Sequence, residues 1–253
     1  MKLRACIFIS LILLTCLCSC SGNHITQPTV SDEITAETHS TEHLSMIENE
    51  LDMLQIETTV AHDNLAASLK NIPLECEQLI LTVGEGGYNA TIYCYERNGD
   101  KWSEIFIFPG FIGKNGFGKT KEGDLKSPEG YYSLGTAFGR ISDPGTKMPF
   151  RLITEDDYWD DDVSSDTYNT WQTESPPKTE KLDIPAYDYG FVINYNLENI
   201  KGLGSAIFFH CAESYTRGCT GAEKQNIIKV LQWLDPIKNP CICQFYKTDL
   251  SKY

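Results

Sequence analysis

The sequence predicts a mostly-β domain of the α+β class that carries few helices. Runs of β-branched and aromatic residues, such as 78–83 and 90–95, alternate with turn signals. Residues 97–100 contain Asn-Gly, which is the strongest short-range signal for a β-hairpin. One later stretch, residues 222–234, has apolar residues at helical spacing on one face. The 253 residues suffice for one good-sized domain with attachments.

Further strands are predicted from runs of the same kind, at residues 102–108, 130–134, 190–195 and 205–209. Long stretches rich in Gly, Pro, Asp and Tyr separate these runs. Loops of that length inside a compact domain are usually functional. We therefore expect residues 74–250 to form one folded domain whose loops carry a site.

The N-terminus has the features of an export signal. Lys2 and Arg4 precede an apolar run, residues 7–17, which predicts a signal peptide over residues 1–19. The run is shorter than the roughly 20 residues that a permanent membrane-spanning helix needs. The segment Leu-Cys-Ser-Cys that ends at Cys20 resembles a bacterial lipobox, which implies lipidation of Cys20. We expect an exported, cell-surface or periplasmic protein anchored to the membrane by lipid; an ordinary cleaved signal peptide is the alternative.

Two further segments precede the predicted domain. Residues 20–43 are polar and have no apolar periodicity, which predicts a flexible tether. Residues 44–72 carry apolar residues at helical spacing and are followed by Pro73, which predicts an amphipathic stalk helix. A coiled-coil dimer is the alternative, and so few turns leave the oligomeric state open.

Composition excludes several classes of function. A formal net charge of −14 disfavours binding to nucleic-acid phosphates. The chain has no Walker loop, zinc-ligand spacing or dinucleotide fingerprint, so no cofactor and no metal are expected. The acidic run of residues 155–166 lacks the glycine and terminal glutamate of an EF-hand, which favours a solvated acidic loop.

Ten cysteines are distributed between the export segment and the predicted domain. The domain contains six of them, namely Cys76, Cys94, Cys211, Cys219, Cys241 and Cys243. In an oxidising compartment, bridges among Cys211, Cys241 and Cys243, or between Cys76 and Cys94, are open possibilities. Sequence alone does not give the connectivity.

One histidine and one cysteine stand out as a candidate catalytic pair. His210 directly follows the apolar run 205–209, and Gly218-Cys219 lies nine residues further on. Thr220 and Glu223 fit a capping box, which predicts a helix N-terminus just after Cys219 and a lowered thiol pKa. His210 would act as the base, and Gly218 would let amides approach as oxyanion donors. The alternative is a core histidine beside a structural cysteine.

Four stretches of the chain resemble the L,D-transpeptidases (the YkuD-type catalytic domain), over about residues 77–246. They are His210 with the Thr-Arg-Gly-Cys of residues 216–219, residues 113–116 with 119–124, residues 127–132, and a last stretch that runs from residues 158–161 to residues 168–171. Many family members have a second histidine where this chain has Arg217. That difference leaves His210 as the base.

The resemblance implies a β-sandwich catalytic domain and acyl transfer on peptidoglycan stem peptides. The Cys219 thiolate would cleave a tetrapeptide stem after its diaminopimelate-type residue, and an amine of a neighbouring stem would resolve the thioester into a 3–3 crosslink. With water as acceptor the activity would be that of an L,D-carboxypeptidase. Two different classes of protein compete with this interpretation: a non-catalytic wall-binding lipoprotein, and a cysteine peptidase that acts on ordinary proteins.

Three more residues are predicted to bind substrate. Arg217 is a candidate carboxylate clamp, since its fork of N–H donors matches a stem carboxylate; a plain surface charge is the alternative. Tyr158 and Trp159 are expected from the resemblance to shape the donor cleft, although aromatic residues in such a run are more often core.

Overall fold

The computed structural model describes residues 64–174 and 179–253. The strands in these residues are β1 (Gln78–Gly86), β2 (Asn89–Asn98), β3 (Lys101–Phe111), β4 (Gly130–Gly139), β5 (Phe150–Leu152), β6 (Tyr158–Asp160), β7 (Trp171–Gln172), β8 (Thr179–Lys181), β9 (Gly190–Ile193), β10 (Phe208–Cys211), β11 (Thr220–Ala222) and β12 (Cys241–Tyr246). The predicted hairpin is present, because β2 and β3 pair across the Asn98–Lys101 turn.

The helices are short. In the described ranges, α1 spans Leu65–Ser68 and α2 spans Lys224–Trp233. Three 3-10 helices span Pro185–Tyr187, Pro236–Lys238 and Lys247–Lys252. No helix within residues 64–174 and 179–253 has the length and apolar character needed to cross a bilayer.

Eight strands close into a barrel in the order β12-β1-β2-β3-β11-β10-β9-β4, and β4 pairs with β12 to complete the ring. Strand β5 pairs with β4 and is not part of the ring. The mostly-β prediction is confirmed, but the predicted β-sandwich is wrong. The closure depends on pairings between distant parts of the chain, such as Ile80 with Ile242 and Tyr132 with Ile242, which local patterning does not reveal.

The barrel interior is the main hydrophobic core. Each of the eight ring strands contributes a buried side chain to it, including Ile80, Ile92, Phe108, Ala137, Phe191, Phe209, Ala222 and Ile242. Helix α2 packs its apolar face, Ile227, Val230 and Leu231, into the same cluster. Because successive side chains of a strand point to opposite faces, the strand residues that alternate with these core residues face the outside of the barrel.

Two further clusters cover the outside of the barrel. One joins Leu79, Leu81 and Phe245 to Ala66 of α1. The other lies on the β9–β10 wall and includes Phe138, Phe208 and Cys219. A three-stranded sheet of order β7-β6-β8 covers this second area and contributes Trp159. The candidate site lies here, on the outer face of the wall.

Other predictions fall in part on residues outside the described ranges. The signal peptide, Cys20, the tether and residues 44–63 of the stalk lie outside them. Residues 65–68 form α1, whose N-cap Asn64 accepts a hydrogen bond from the Ala67 amide and donates one to the Trp102 carbonyl at 2.7 Å. The described end of the stalk segment is therefore attached to the barrel.

Candidate active site

Strand β10 places His210 on the outer face of the barrel wall. Its alternation directs Phe209 and Cys211 into the barrel core and leaves Phe208 and His210 on the other face. The His210 ring meets the ring of Tyr187 edge-on, with centroids 5.2 Å apart. The short helix Pro185–Tyr187 thus covers the histidine.

Cys219 precedes β11, which runs parallel to β10 and pairs Thr220 with Phe209. Gly218 has a φ of 146°, and a Cβ there would lie 3.0 Å from the Lys126 carbonyl oxygen. A glycine is therefore needed at this position. The Gly218 amide donates to Thr216 Oγ1 at 3.2 Å, so this residue shapes the backbone and its own N–H is occupied.

Two hydroxyl groups hold the carbonyl of Cys219. Ser127 Oγ donates to it at 2.8 Å and Thr216 Oγ1 at 2.6 Å, and all three residues are buried. Ser127 Oγ also accepts a hydrogen bond from the Gly113 amide at 2.9 Å. Three of the stretches that carry the family resemblance therefore meet at Cys219.

The Cys219 sulfur is contacted by the backbone that enters β10. Sγ donates to the Ala206 carbonyl at 3.1 Å and accepts from the Phe208 amide at 3.3 Å. Burial, with a smaller contribution from the Glu180 carboxylate, raises the pKa of Cys219 to about 12. In this geometry the thiol is protonated at neutral pH.

The helix cap predicted at Thr220 is wrong. Thr220 is buried in β11 and donates its hydroxyl hydrogen to Gln244 Oε1, while Glu223 occupies the N-cap position of α2. A dipole effect fades beyond the first turn of a helix, and β11 separates Cys219 from α2. Pairing with β3 and β10 makes this segment a strand, although the local Thr-x-x-Glu pattern is typical of a helix start.

His210 is held as a neutral imidazole. Nδ1 lies 2.9 Å from the Cys211 carbonyl oxygen, which only accepts, so Nδ1 carries the hydrogen and Nε2 keeps its lone pair. Burial lowers the pKa of His210, and the carbonyls of Cys211 and Ala186 oppose that shift only in part. The imidazole is thus uncharged at pH 7 and able to accept a proton.

One cavity of about 240 Å³ brings four of the predicted site residues together: His210, Arg217, Gly218 and Cys219. Arg217 is exposed at its rim. Tyr158 and Trp159 do not line this cavity. Trp159 packs edge-on against Phe208 with centroids 5.0 Å apart, so it supports the wall behind Cys219.

Two aspartates of the predicted acidic loop are buried. Asp157 accepts hydrogen bonds from Arg151 at 2.8 Å and Trp171 at 2.6 Å. Asp160 accepts from Thr167 Oγ1 at 2.6 Å. Asp157 and Asp160 therefore stabilise the loop through buried hydrogen bonds, whereas the sequence had favoured a solvated acidic loop.

Lys119 is a cavity residue that the sequence argument missed. Its Nζ lies 3.1 Å from Asp124 Oδ1, and both side chains are less than a tenth exposed. Burial alone would raise the pKa of Asp124, yet hydrogen bonds from backbone amides and Lys119 outweigh it and lower that pKa. Lys119 begins the stretch 119–124, so the resemblance contained a signal for it.

Carboxylates form another part of the cavity lining, namely Glu122, Asp161 and Glu180. Glu122 accepts hydrogen bonds from Tyr168 at 2.6 Å and Ser205 at 2.7 Å. Glu180 accepts from the Tyr187 hydroxyl. Burial raises the pKa of both Asp161 and Glu180, and their neighbouring carboxylates add to the shift. The cavity thus presents groups of both signs beside Cys219.

His210 also borders a second, more open groove of about 710 Å³. Cys211 and the charged residues Asp188, Glu213, Glu223 and Lys224 line this groove. Lys224 Nζ lies 2.8 Å from Asp188 Oδ2. The His210 imidazole therefore lies between the cavity that contains Cys219 and a groove that does not contain Cys219.

No protein-family model matches the chain, and no curated protein matches it. Among solved structures, it is similar to Bd1075 of Bdellovibrio bacteriovorus, with 20% identity and a TM-score of 0.39 over 73% of this chain and 55% of that one. It is also similar to the helical cell shape determining protein Pgp2 of Campylobacter jejuni, with 21% identity and a TM-score of 0.37 over 67% and 48%. The chain spans about half the length of these proteins.

Proposed function

We propose that the protein is a cysteine acyl-transfer enzyme that cleaves the L,D bond of peptidoglycan stem peptides through a thioester on Cys219. The observation that carries the proposal is that Cys219 and the neutral imidazole of His210 line one cavity. The resemblance of residues 77–246 to the L,D-transpeptidases supplies the substrate class.

In the first half of the reaction the thiol proton passes to His210 Nε2. The Ala206 carbonyl, which the thiol faces in the free protein, cannot take a proton, so a base of this kind is required. Sγ attacks the carbonyl carbon of the diaminopimelate-type residue, and the C–N bond to D-alanine breaks. The leaving nitrogen takes the proton back from His210, which leaves a thioester on Cys219.

The charges in the cavity suit a zwitterionic substrate group. Arg217 and Lys119 provide positive charge, and the carboxylates of Asp161 and Glu180 provide acceptors. A diaminopimelate-type side chain ends in an ammonium and a carboxylate on one carbon. Such a group would pair with both signs of charge at once, whereas an ordinary aliphatic side chain would leave them unpaired.

Water is the first acceptor that we propose. Hydrolysis of the thioester needs only the cavity that already holds Cys219 and His210, with His210 taking a proton from the attacking water. The product would be a tripeptide stem, and the activity would be that of an L,D-carboxypeptidase.

An amine acceptor is the second candidate, and the second groove favours it. His210 borders that groove, and the carboxylates of Glu213 and Glu223 in its lining suit an approaching amine, whereas Asp188 is paired with Lys224. Attack by a stem amine would give a 3–3 crosslink.

The masses of the products formed from purified tetrapeptide stems test the proposal and separate the acceptors. Loss of D-alanine alone indicates hydrolysis, and a crosslinked dimer indicates transpeptidation. A Cys219→Ala variant should form neither product. Unchanged stems with the unmodified protein, at neutral pH and at stem concentrations in the millimolar range, would contradict the proposal.

A further inference from the structure

Two buried thiols outside the candidate site lie almost within bonding distance. The sulfur atoms of Cys76 and Cys241 are 2.7 Å apart, and both side chains are less than 5% exposed. A disulfide bond is about 2.05 Å long, so an approach of roughly 0.7 Å would join them. Neither sulfur takes part in the chemistry proposed for Cys219.

The backbone on both sides of this pair is fixed. Cys76 lies two residues before β1, and Cys241 is the first residue of β12. The two strands run parallel, with Leu79 opposite Cys241. The Glu77 amide also donates to the Lys238 carbonyl at 2.8 Å. The sulfurs are therefore held together by the sheet itself.

The other described cysteines are placed differently. Cys94 and Cys211 belong to the barrel interior, whereas Cys76 and Cys241 lie in the cluster outside it. The bridge between Cys76 and Cys94 considered from the sequence is therefore wrong, because the barrel wall separates them. Cys243 shares the outer face with Cys241 but lies opposite Leu81, one step further along the sheet.

We infer that Cys76 and Cys241 form a disulfide by exchange with an external disulfide, such as that of an oxidised dithiol or glutathione. Cys76 attacks one sulfur of the donor disulfide, which breaks and releases one donor thiolate. Cys241 then attacks the sulfur of Cys76 in the mixed disulfide and expels the second donor thiolate. The two protons of the cysteines end on the two donor thiols, so the donor is reduced as the pair is oxidised.

A groove borders one member of this pair, Cys241, and the residue next to the other, Glu75. The groove has a volume of about 300 Å³ and is also lined by Asn239 and Pro240. A hydrogen bond from Cys241 lowers the pKa of Cys76 despite its burial, and the positive charge of Arg97 adds to the effect. Cys76 is thus the better nucleophile of the two, which fits the order of attack.

The bridge would fasten the start of the barrel to its last strand. The closed loop, residues 76–241, contains β1 to β11 and α2. Crosslinks around long loops restrict the unfolded chain more than those around short ones. The oxidised protein should therefore melt at a higher temperature than the reduced protein.

Thiol counting on the full chain tests this inference. The reduced protein is incubated with glutathione disulfide, denatured, alkylated and weighed, and it should show two alkylated thiols fewer than the reduced sample. The loss should disappear in Cys76→Ser and Cys241→Ser and persist in Cys243→Ala and Cys94→Ala. These last two variants are needed because the tryptic peptides of residues 71–97 and 239–247 each contain two cysteines. Oxidation should raise the melting temperature by about 10 °C.

Three results would overturn the inference. One is an unchanged thiol count in the unsubstituted protein, which needs no variant to fold. Another is a bridge that maps to Cys243 or Cys94. The third is a stable mixed disulfide with glutathione on Cys76 that Cys241 never resolves.

Discussion

The hydroxyl of Ser127 donates a 2.8 Å hydrogen bond to the main-chain carbonyl of Cys219, although the two residues are 92 positions apart. Ser127 opens the Ser-Pro-Glu-Gly stretch that leads into β4, and its hydroxyl also accepts from Gly113. The serine therefore ties two loops to the backbone of the proposed nucleophile. Its own oxygen is buried and does not line the cavity, so it acts on Cys219 by position.

Replacing Ser127 with Ala should lower kcat for tetrapeptide stems by about five- to tenfold and leave KM nearly unchanged. The substitution removes two buried hydrogen bonds, one to Cys219 and one from Gly113, each worth about 1 kcal/mol, and loosens the backbone that carries Sγ. Initial rates of D-alanine release measure the effect. Ser133→Ala, at an exposed position of β4, is the matched control and should retain full activity. A rise in KM without a fall in kcat would instead place Ser127 at the substrate.

The reactivity of Cys219 should depend on pH as that of a protonated, buried thiol. With its pKa raised to about 12, its alkylation by iodoacetamide should accelerate about tenfold per pH unit from pH 7 to 10. A preformed thiolate–imidazolium pair would give a plateau near neutral pH. Alkylation is followed by mass, with Cys219→Ala as the blank.

The burial of His210 also determines how the proposed activity falls off at low pH. Burial lowers the pKa of His210 below the value of 6.5 for an exposed imidazole, so the neutral base is present at pH 7. Activity should be lost as the pH falls through a value below about 6.5, where His210 becomes protonated. An acid limb centred above pH 7 would exclude His210 as described.

Glu180→Gln should change thiol reactivity and substrate binding in opposite directions. Removing this carboxylate lowers the pKa of Cys219, so alkylation at pH 8 should be about three- to tenfold faster. The loss of an acceptor for the stem ammonium should raise KM. Glu155→Gln, at an exposed position outside the cavity, should change neither quantity. Slower alkylation in Glu180→Gln would contradict the electrostatic account of the cavity.

Arg217→Ala should weaken the use of donor stems more than it slows the acylation of Cys219 by a small activated ester. The exposed guanidinium at the cavity rim is placed to hold a stem carboxylate. KM for the stem should rise about tenfold, and Arg217→Lys should recover part of the loss because it keeps the charge without the fork. Equal losses in both assays would assign Arg217 to the positioning of Cys219.

Much of the site could be predicted from the sequence because its pieces are local. The apolar run before His210 and the glycine before Cys219 are visible as short patterns, and the structure brings His210, Gly218 and Cys219 to one cavity. Most predicted strands are also present, since alternation and the Asn-Gly turn report directly on β-structure.

What the sequence did not reveal depends on long-range pairing. The Thr-x-x-Glu pattern at Thr220 suggested a helix cap, but pairing of Gly221 with both Phe111 and His210 makes this segment a strand. Barrel closure rests on β12, which joins strands about 110 and 160 residues earlier in the chain. Glu180 lies in β8 of the small sheet β7-β6-β8, which places it at the cavity, and no short motif in the sequence predicted this.

The location of a covalent adduct tests the central claim most directly. Carbapenem-type β-lactams are expected, from the resemblance to L,D-transpeptidases, to acylate the nucleophile. The intact protein should gain the mass of one inhibitor molecule, and peptide mapping should place it on Cys219. Cys219→Ala should gain none, whereas Cys211→Ala should react normally and His210→Ala about 10²–10⁴ times more slowly. An adduct on Cys211, Cys241 or Cys243, or one that persists in Cys219→Ala, would contradict the account.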